Sequence, residues 1–164
     1  MELAKIKSKN GDLFVVMNQN RRVALGLIAR GGNRPIKLGY FFDLKYYDGA
    51  KEKINLHLDR NQAIYVCKFG YLEIRNGNWP TVGSLRDFSF EQWPMPVFEN
   101  HHSGPELRIY ALYDEEQLEN QIFSYQGTRP PRDLDLSFVI EDHMAGAFFV
   151  AERLERLMKK RDSE

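Results

Sequence analysis

The sequence has little of several features that mark particular classes of protein. It contains one cysteine, Cys67, which excludes an internal disulfide and fits a reducing compartment. The longest apolar run that suits a helix, residues 145–151, is far too short to cross a bilayer, and the N-terminal segment lacks the continuous apolar stretch of a secretory signal. We therefore expect a soluble, cytoplasmic protein that has no membrane partner.

Signatures of catalytic, cofactor and metal sites are also missing. The segment "ARGGNRP" is basic and rich in glycine, but it lacks the spacing of a phosphate-binding loop. Cys67 lies in the apolar run "AIYVCKF", which is typical of a small buried residue and not of a reactive thiolate. We expect no catalytic residue, no cofactor and no metal site, because no metal-ligand spacing links the histidines, which are His57, His101, His102 and His143.

What the sequence does contain favours a β-rich fold. Two apolar runs, residues 13–17 and 23–29, flank a polar turn at 18–20 and predict a hairpin. Both runs are denser in apolar residues than strict alternation gives, which places the hairpin near the centre of a sheet. Gly26 interrupts the second run and indicates a bulge, a bend or a close approach of another backbone.

Further strand-like runs occur at 36–47, 63–67, 71–74 and 106–114, with proline-containing connectors at 84–105 and 127–135. The last segment predicts an amphipathic helix that Glu141 or Asp142 caps. Its predicted apolar face consists of Met144, Ala147, Phe148, Ala151, Leu154, Leu157 and Met158. The fold class expected is α+β, with a twisted, barrel-like antiparallel sheet and the C-terminal helix packed on it. We expect one domain over residues 1–164, with a β-rich part at 5–90 and an extension at 91–164.

The segment "GNWPTVG" places a tryptophan in a turn. Asn76 and Gly77 predict a tight turn, and Pro80 fixes the direction in which the chain leaves it. We expect the Trp79 ring to fold back over the open end of the sheet, with its N–H bonded to a loop carbonyl. The alternative is an exposed aromatic anchor for a partner.

Charge is distributed unevenly although the net charge is zero. Residues 1–97 contain 15 basic and 9 acidic residues, whereas residues 98–142 contain 3 basic and 10 acidic ones. An acidic region of this kind can dock a basic partner, and the alternatives are a solvated surface or internal cancellation on folding. The candidate partner-binding residues are Glu99, Asp114, Glu115, Glu116 and Glu119.

Several landmarks in the first half resemble the immunity protein 26 family of bacterial polymorphic toxin systems. They are "GDLF" at 11–14, "VALGLI" with Gly26, "YFFD" at 40–43 and the Trp-Pro turn, and together they span roughly residues 5–90. The resemblance implies a cytoplasmic protein that binds and blocks a cognate toxin without catalysis. If the toxin is a nuclease, its cleft is basic, and an acidic patch over residues 99–119 could replace the phosphates there.

Two other functions stay open at this point. Basic residues interleaved with aromatic ones, Lys45, Tyr46, Tyr47 and Lys51, would suit a nucleic-acid-binding regulator with a small β-barrel, although the low net charge disfavours nucleic acid as a partner. An enzyme would need the fold to bring together Asp12, His57 and His143.

Overall fold

The computed structural model describes residues 5–48, 53–54, 58–100 and 107–163. The first six strands within them are β1 (Asp12–Asn18), β2 (Arg21–Arg30), β3 (Ile36–Asp43), β4 (Tyr47–Asp48), β5 (Lys53–Ile54) and β6 (Tyr65–Gly70). They are followed by helix α1 (Leu72–Arg75), β7 (Thr81–Ser84), β8 (Val97–Asn100), β9 (Arg108–Tyr113), β10 (Gln121–Gly127), β11 (Val139–Glu141), β12 (Met144–Ala145) and helix α2 (Ala147–Asp162). Two single 3₁₀ turns lie at Leu44–Tyr46 and Arg60–Gln62.

The strands form two main sheets. The first sheet has six strands in the order β12-β6-β3-β2-β1-β7, and the second has four in the order β10-β9-β8-β11. A two-stranded piece, β4-β5, completes the set within the described residues. Pairing is antiparallel except for the short parallel pairs β12/β6 and β11/β8. The α+β prediction is confirmed, and the six-stranded sheet is open, with β12 and β7 at its edges.

The six-stranded sheet is covered on both faces. On one face Phe14 and Ile28 pack in a core with Leu154 of α2. On the other face Leu25 packs in a second core with Phe98 of the four-stranded sheet. A strand that is buried on both faces needs apolar residues at successive positions, which explains the dense apolar runs of β1 and β2.

The predicted β1–β2 hairpin is confirmed. Its two-residue turn consists of Gln19 and Asn20, whose φ angles of 50° and 65° match the left-handed turn that the twist of two antiparallel strands favours. Gly26 marks a close approach, but the approaching group is a side-chain ring, whereas the sequence predicts another backbone. A Cβ at this position would lie only 2.3 Å from the Phe14 ring.

The boundaries predicted for the C-terminal helix were wrong at its start. Met144 pairs with Lys68 in a parallel bridge and is therefore extended, so the helix begins only after Gly146. The buried face of α2 consists of Val150, Ala151 and Leu154. Phe148, which was expected on the apolar face, is 72% exposed.

Further elements differ from the sequence prediction, among them β8, which lies within the predicted connector 84–105. Residues 71–74 alternate like a strand, but four residues cannot distinguish a strand from one helical turn, and the chain forms α1 there. Its last turn closes where the Asn76 N–H donates to the Leu72 carbonyl. Strand β10 was missed because its residues are mostly exposed and polar, which leaves little apolar alternation to detect.

Trp79 lies in the core on the helix side of the six-stranded sheet. Its side chain is 2% exposed, and its ring stacks on Phe14 with 3° between the ring planes and 5.9 Å between the centroids. The indole N–H donates to the Met17 carbonyl at 3.1 Å. That carbonyl belongs to β1, next to an irregularity in the pairing with β2 between Val16 and Met17, and not to a loop.

Replacing Trp79 with Ala should lower the free energy of unfolding by about 3–5 kcal/mol, because a large buried ring is lost and the Phe14 ring loses its stacking partner. Urea denaturation of the variant and the parent measures the difference. Phe148→Ala is the matched control and should change stability by less than about 0.5 kcal/mol, since that ring is exposed. A Trp79→Ala protein as stable as the control variant would show that the ring does not support the core.

Candidate functional site

The acidic residues of the sequence are densest in the turn between β9 and β10, the acidic turn, which spans residues 114–120. The Asp114 carboxylate accepts hydrogen bonds from the backbone N–H groups of Glu116 at 2.9 Å and Gln117 at 2.8 Å. Leu118, at the centre of the turn, is 1% exposed and packs in the second core. The Asn120 N–H donates to the Gln117 carbonyl and closes the turn. These bonds fix the backbone.

Hydrogen bonding also stabilises the negative charge of Asp114 in the acidic turn. The backbone N–H groups of Gln117 and Glu116 stabilise the ionised carboxylate and lower the pKa of Asp114. Glu115, Glu116 and Glu119 are exposed around it. Four carboxylates therefore lie on one short, rigid segment.

A buried arginine holds this segment against the six-stranded sheet. The Arg30 side chain is 1% exposed, and its Nη1 donates to the carbonyls of Ala29 and Trp93, both at 2.8 Å. Its Nη2 lies 3.2 Å from Glu115 Oε1, and the Phe90 ring lies 3.9 Å from the guanidinium carbon. Glu115 is thus partly engaged within the molecule. A planar guanidinium suits this position because it can bond to several acceptors in one plane.

Glu99 does not join the acidic turn. It lies on β8 opposite Tyr110 of β9, four residues before Asp114, which corresponds to roughly 13 Å along the strand. Its carboxylate lies 3.4 Å from Arg108 Nη1 and is half-buried. Of the five candidate partner-binding residues, four share one turn and Glu99 lies elsewhere on the same sheet.

A second buried cation connects the two sheets. Lys68 Nζ, on β6, lies 3.0 Å from Asp142 Oδ1 and 3.7 Å from the centre of the Tyr113 ring. The Tyr113 hydroxyl donates to the other oxygen of Asp142 at 2.6 Å. Burial, with the neighbouring carboxylate, raises the pKa of Tyr113, so this hydroxyl keeps its proton. Part of the charge contrast in the sequence is therefore cancelled inside the molecule.

Of the three candidate enzyme residues, the structure describes Asp12 and His143, and these two lie far apart. Asp12 is buried on β1, where its carboxylate accepts from the Ser84 hydroxyl at 2.7 Å and from the Lys9 N–H at 2.9 Å. His143 lies next to β12, four strand spacings and about 19 Å across the sheet from β1, and its ring lies 3.3 Å from the Tyr65 hydroxyl. His57, with His101 and His102, lies outside the described residues.

Other candidates that the structure describes contact neighbouring side chains. Cys67 is 1% exposed, and burial raises the pKa of its thiol to about 12, so the predicted buried role is confirmed. Lys45 lies over the Tyr46 ring, Tyr46 packs edge-on against Phe42, and Lys51 lies outside the described residues. Across the described part of the chain, no three His, Cys, Asp or Glu side chains converge to hold a metal ion, and no helix is long and apolar enough to span a membrane.

Two groups among the exposed large apolar side chains are not predicted from the sequence. Phe148 and Phe149 are 72% and 48% exposed at the start of α2. Ile122 and Phe123 are exposed on β10, although successive strand residues point to opposite faces. The second group could have been predicted from the sequence, because two adjacent large apolar residues in a polar strand indicate a strand that is uncovered on both faces.

The arginine and its glutamate should contribute unequally to stability. Arg30→Met should lower the free energy of unfolding by about 2–3 kcal/mol, since two buried carbonyls lose a charged donor. Glu115→Gln should cost less than about 1 kcal/mol, because the carboxylate is half-exposed and screened by water. Urea denaturation of both variants tests this, and equal losses would contradict the assignment of Arg30 as the dominant partner.

Comparison with protein families adds independent support for the resemblance in the first half. The family model described as Immunity protein 26 matches residues 9–104, which include β1 to β8. Neither the curated proteins nor the solved structures compared with the chain give a match. The matched range is more than half of the chain and extends beyond the segment recognised from the sequence. The chain therefore belongs to the immunity protein 26 family, whose members neutralise toxins.

Proposed function

We propose that this protein neutralises its cognate toxin by stoichiometric binding without catalysis, and that the acidic turn contacts a basic surface of the toxin. The observation that carries the proposal is the arrangement of Asp114, Glu116 and Glu119 on a backbone that hydrogen bonds and the buried Leu118 hold rigid. A rigid acidic segment loses little conformational entropy on binding, so more of its electrostatic attraction becomes affinity.

The chemistry of the acidic turn suits a toxin whose active cleft binds phosphates, as a nuclease cleft does. Carboxylates at successive positions can pair with the Lys and Arg side chains that otherwise neutralise phosphates. Such a complex blocks substrate by occupying its site, which requires affinity and no turnover. Glu116 and Glu119 are the residues best placed for this role because they are exposed, whereas Glu115 also contacts Arg30.

Two observations favour binding over catalysis in the described residues. Asp12 and His143 lie at distant positions of the six-stranded sheet, and Asp12 is engaged with Ser84. The only cysteine is buried with a raised thiol pKa, which disfavours a nucleophilic role. We place the complex in the cytoplasm, where a bacterial cell would need protection from such a toxin.

Charge reversal at the exposed acidic positions should weaken the complex. Glu116→Lys with Glu119→Lys should reduce affinity for the toxin encoded beside this gene at least about tenfold, since two attractive contacts become repulsive. The dependence of affinity on salt concentration should also become shallower, because fewer charge pairs form. Isothermal titration calorimetry with purified, catalytically inactivated toxin measures both quantities.

The matched control is Glu91→Lys, which reverses an exposed glutamate on the connector after β7. It should leave affinity and salt dependence within error of the parent. Unfolding midpoints of all variants should agree, because none of these side chains is buried. If the double variant keeps the parent affinity and salt dependence, the acidic turn is not the contact surface, and the binding proposal needs another location.

A further inference from the structure

Strand β10 lies at the edge of the four-stranded sheet, where one side of its backbone is not used in the ladder with β9. Five of its seven residues are exposed, among them Ile122, which is 65% exposed, and Phe123, which is 44% exposed. An exposed edge strand offers a row of N–H and C=O groups to another strand, and proteins commonly protect such an edge with a charge or a proline within the strand. The strand itself, "QIFSYQG", contains neither.

Charges of opposite sign flank this strand. The acidic turn, with Glu116 and Glu119, immediately precedes β10, and Arg129 and Arg132 follow it. All four side chains are exposed. Glu119 and Arg129 are each five residues from Ser124, the middle residue of β10, and Glu116 and Arg132 are each eight residues from it.

Asp133 and Asp135, both exposed, follow these arginines, so the opposite sign rests on Arg129 and Arg132 themselves and not on the net charge of their segment. The Tyr125 hydroxyl donates to the Arg129 carbonyl at 2.7 Å, which holds this segment beside the second half of β10.

We propose that β10 pairs antiparallel with β10 of a second copy of this chain, about a two-fold axis at Ser124, and joins the two four-stranded sheets into one. An antiparallel two-fold pairing places the start of one strand against the end of the other. Glu116 and Glu119 of each copy then lie at the same end of the paired strands as Arg129 and Arg132 of the second copy. The same chain would thus supply both halves of a complementary charge pattern.

Side chains within the strand support the same register. With the axis at Ser124, Phe123 faces Tyr125 of the second copy. By symmetry, Tyr125 faces Phe123 of the second copy. Aromatic cross-strand pairs stabilise antiparallel sheets. Phe123 and Tyr125 also line a cleft of about 650 Å³ beside the segment 129–134, so the axis brings two such clefts together. Burial of Phe123 against a second copy would remove one of the exposed aromatic side chains of the molecule.

This inference does not rest on the proposed function, because it concerns the protein without toxin. The two are connected, however, since both use the acidic turn. A toxin that binds Glu116 and Glu119 would compete with the second copy, and the dimer would then be the form that stores the protein until the toxin arrives. The toxin would separate the copies only if its contacts with the acidic turn are stronger than those of Arg129 and Arg132.

Two charge-reversal variants test the pairing by sedimentation velocity of the full chain without toxin. One variant carries Glu116→Arg with Glu119→Arg, and the other carries Arg129→Glu with Arg132→Glu. The parent should sediment as a dimer that dissociates on dilution. Each variant alone should dissociate at a concentration at least about tenfold higher, because like charges then meet at both ends of the paired strands.

An equimolar mixture of the two variants should restore the dimer, since one copy is then basic on both sides of β10 and the other is acidic on both sides, so opposite charges meet at each end. Damage to the fold would not be repaired by mixing, so this result separates charge pairing from misfolding. Glu91→Arg is the control and should remain dimeric. A monomeric parent would overturn the proposal, and so would a dimer that both variants leave intact or a mixture that stays monomeric. A monomer whose β10 amides are protected from hydrogen exchange only with toxin would assign the edge to the toxin instead.

Discussion

The buried guanidinium of Arg30 is the interaction on which the rest of the candidate surface depends. It lies at the end of β2, where it bonds to the carbonyl of Trp93 and to the carboxylate of Glu115. One side chain thus connects the six-stranded sheet, the connector after β7 and the acidic turn. A cation in the protein interior is costly unless its donors find acceptors, so the connector must adopt the conformation that presents its carbonyls. The position of the acidic turn follows from that requirement.

Lys68 fulfils a related role at the other end of the interface between the sheets. Its ammonium group lies between the Tyr113 ring and the carboxylate of Asp142, and it thereby ties β6 to β9 and to the segment before β12. Arg30 and Lys68 both come from the basic first part of the chain, and the carboxylates that they contact, Glu115 and Asp142, both come from the acidic part. The acidic part of the sequence therefore supplies two kinds of carboxylate. Some form internal ion pairs, and others are exposed in the acidic turn. Within the acidic turn, Glu115 belongs to both groups, and the exposed Glu116 and Glu119 are the carboxylates that we expect to attract a partner.

The central part of the fold could be predicted from the sequence, and the edges could not. Dense apolar runs and the polar turn at 18–20 identified the β1–β2 hairpin, and the glycine at 26 indicated a close approach, because those features are local. The start of α2 was not predictable, since Met144 is held extended by its pairing with β6, a long-range contact that competes with local helix propensity. The four-carboxylate turn was recognisable from "DEE" and the following Glu119, but the distance of Glu99 from it and the contact of Glu115 with Arg30 depend on strand pairing. Nothing in the sequence predicts that Arg30 is buried.

We infer that this immunity protein works by presenting a rigid acidic turn to its toxin. Hydrogen–deuterium exchange of the protein alone and in complex with the toxin locates the contact without changing a residue. We expect slower exchange over residues 114–120 in a complex of one toxin for each immunity chain. Protection confined to other segments, such as the exposed aromatic residues at the start of α2, or loss of toxin activity without a stable complex, would contradict it.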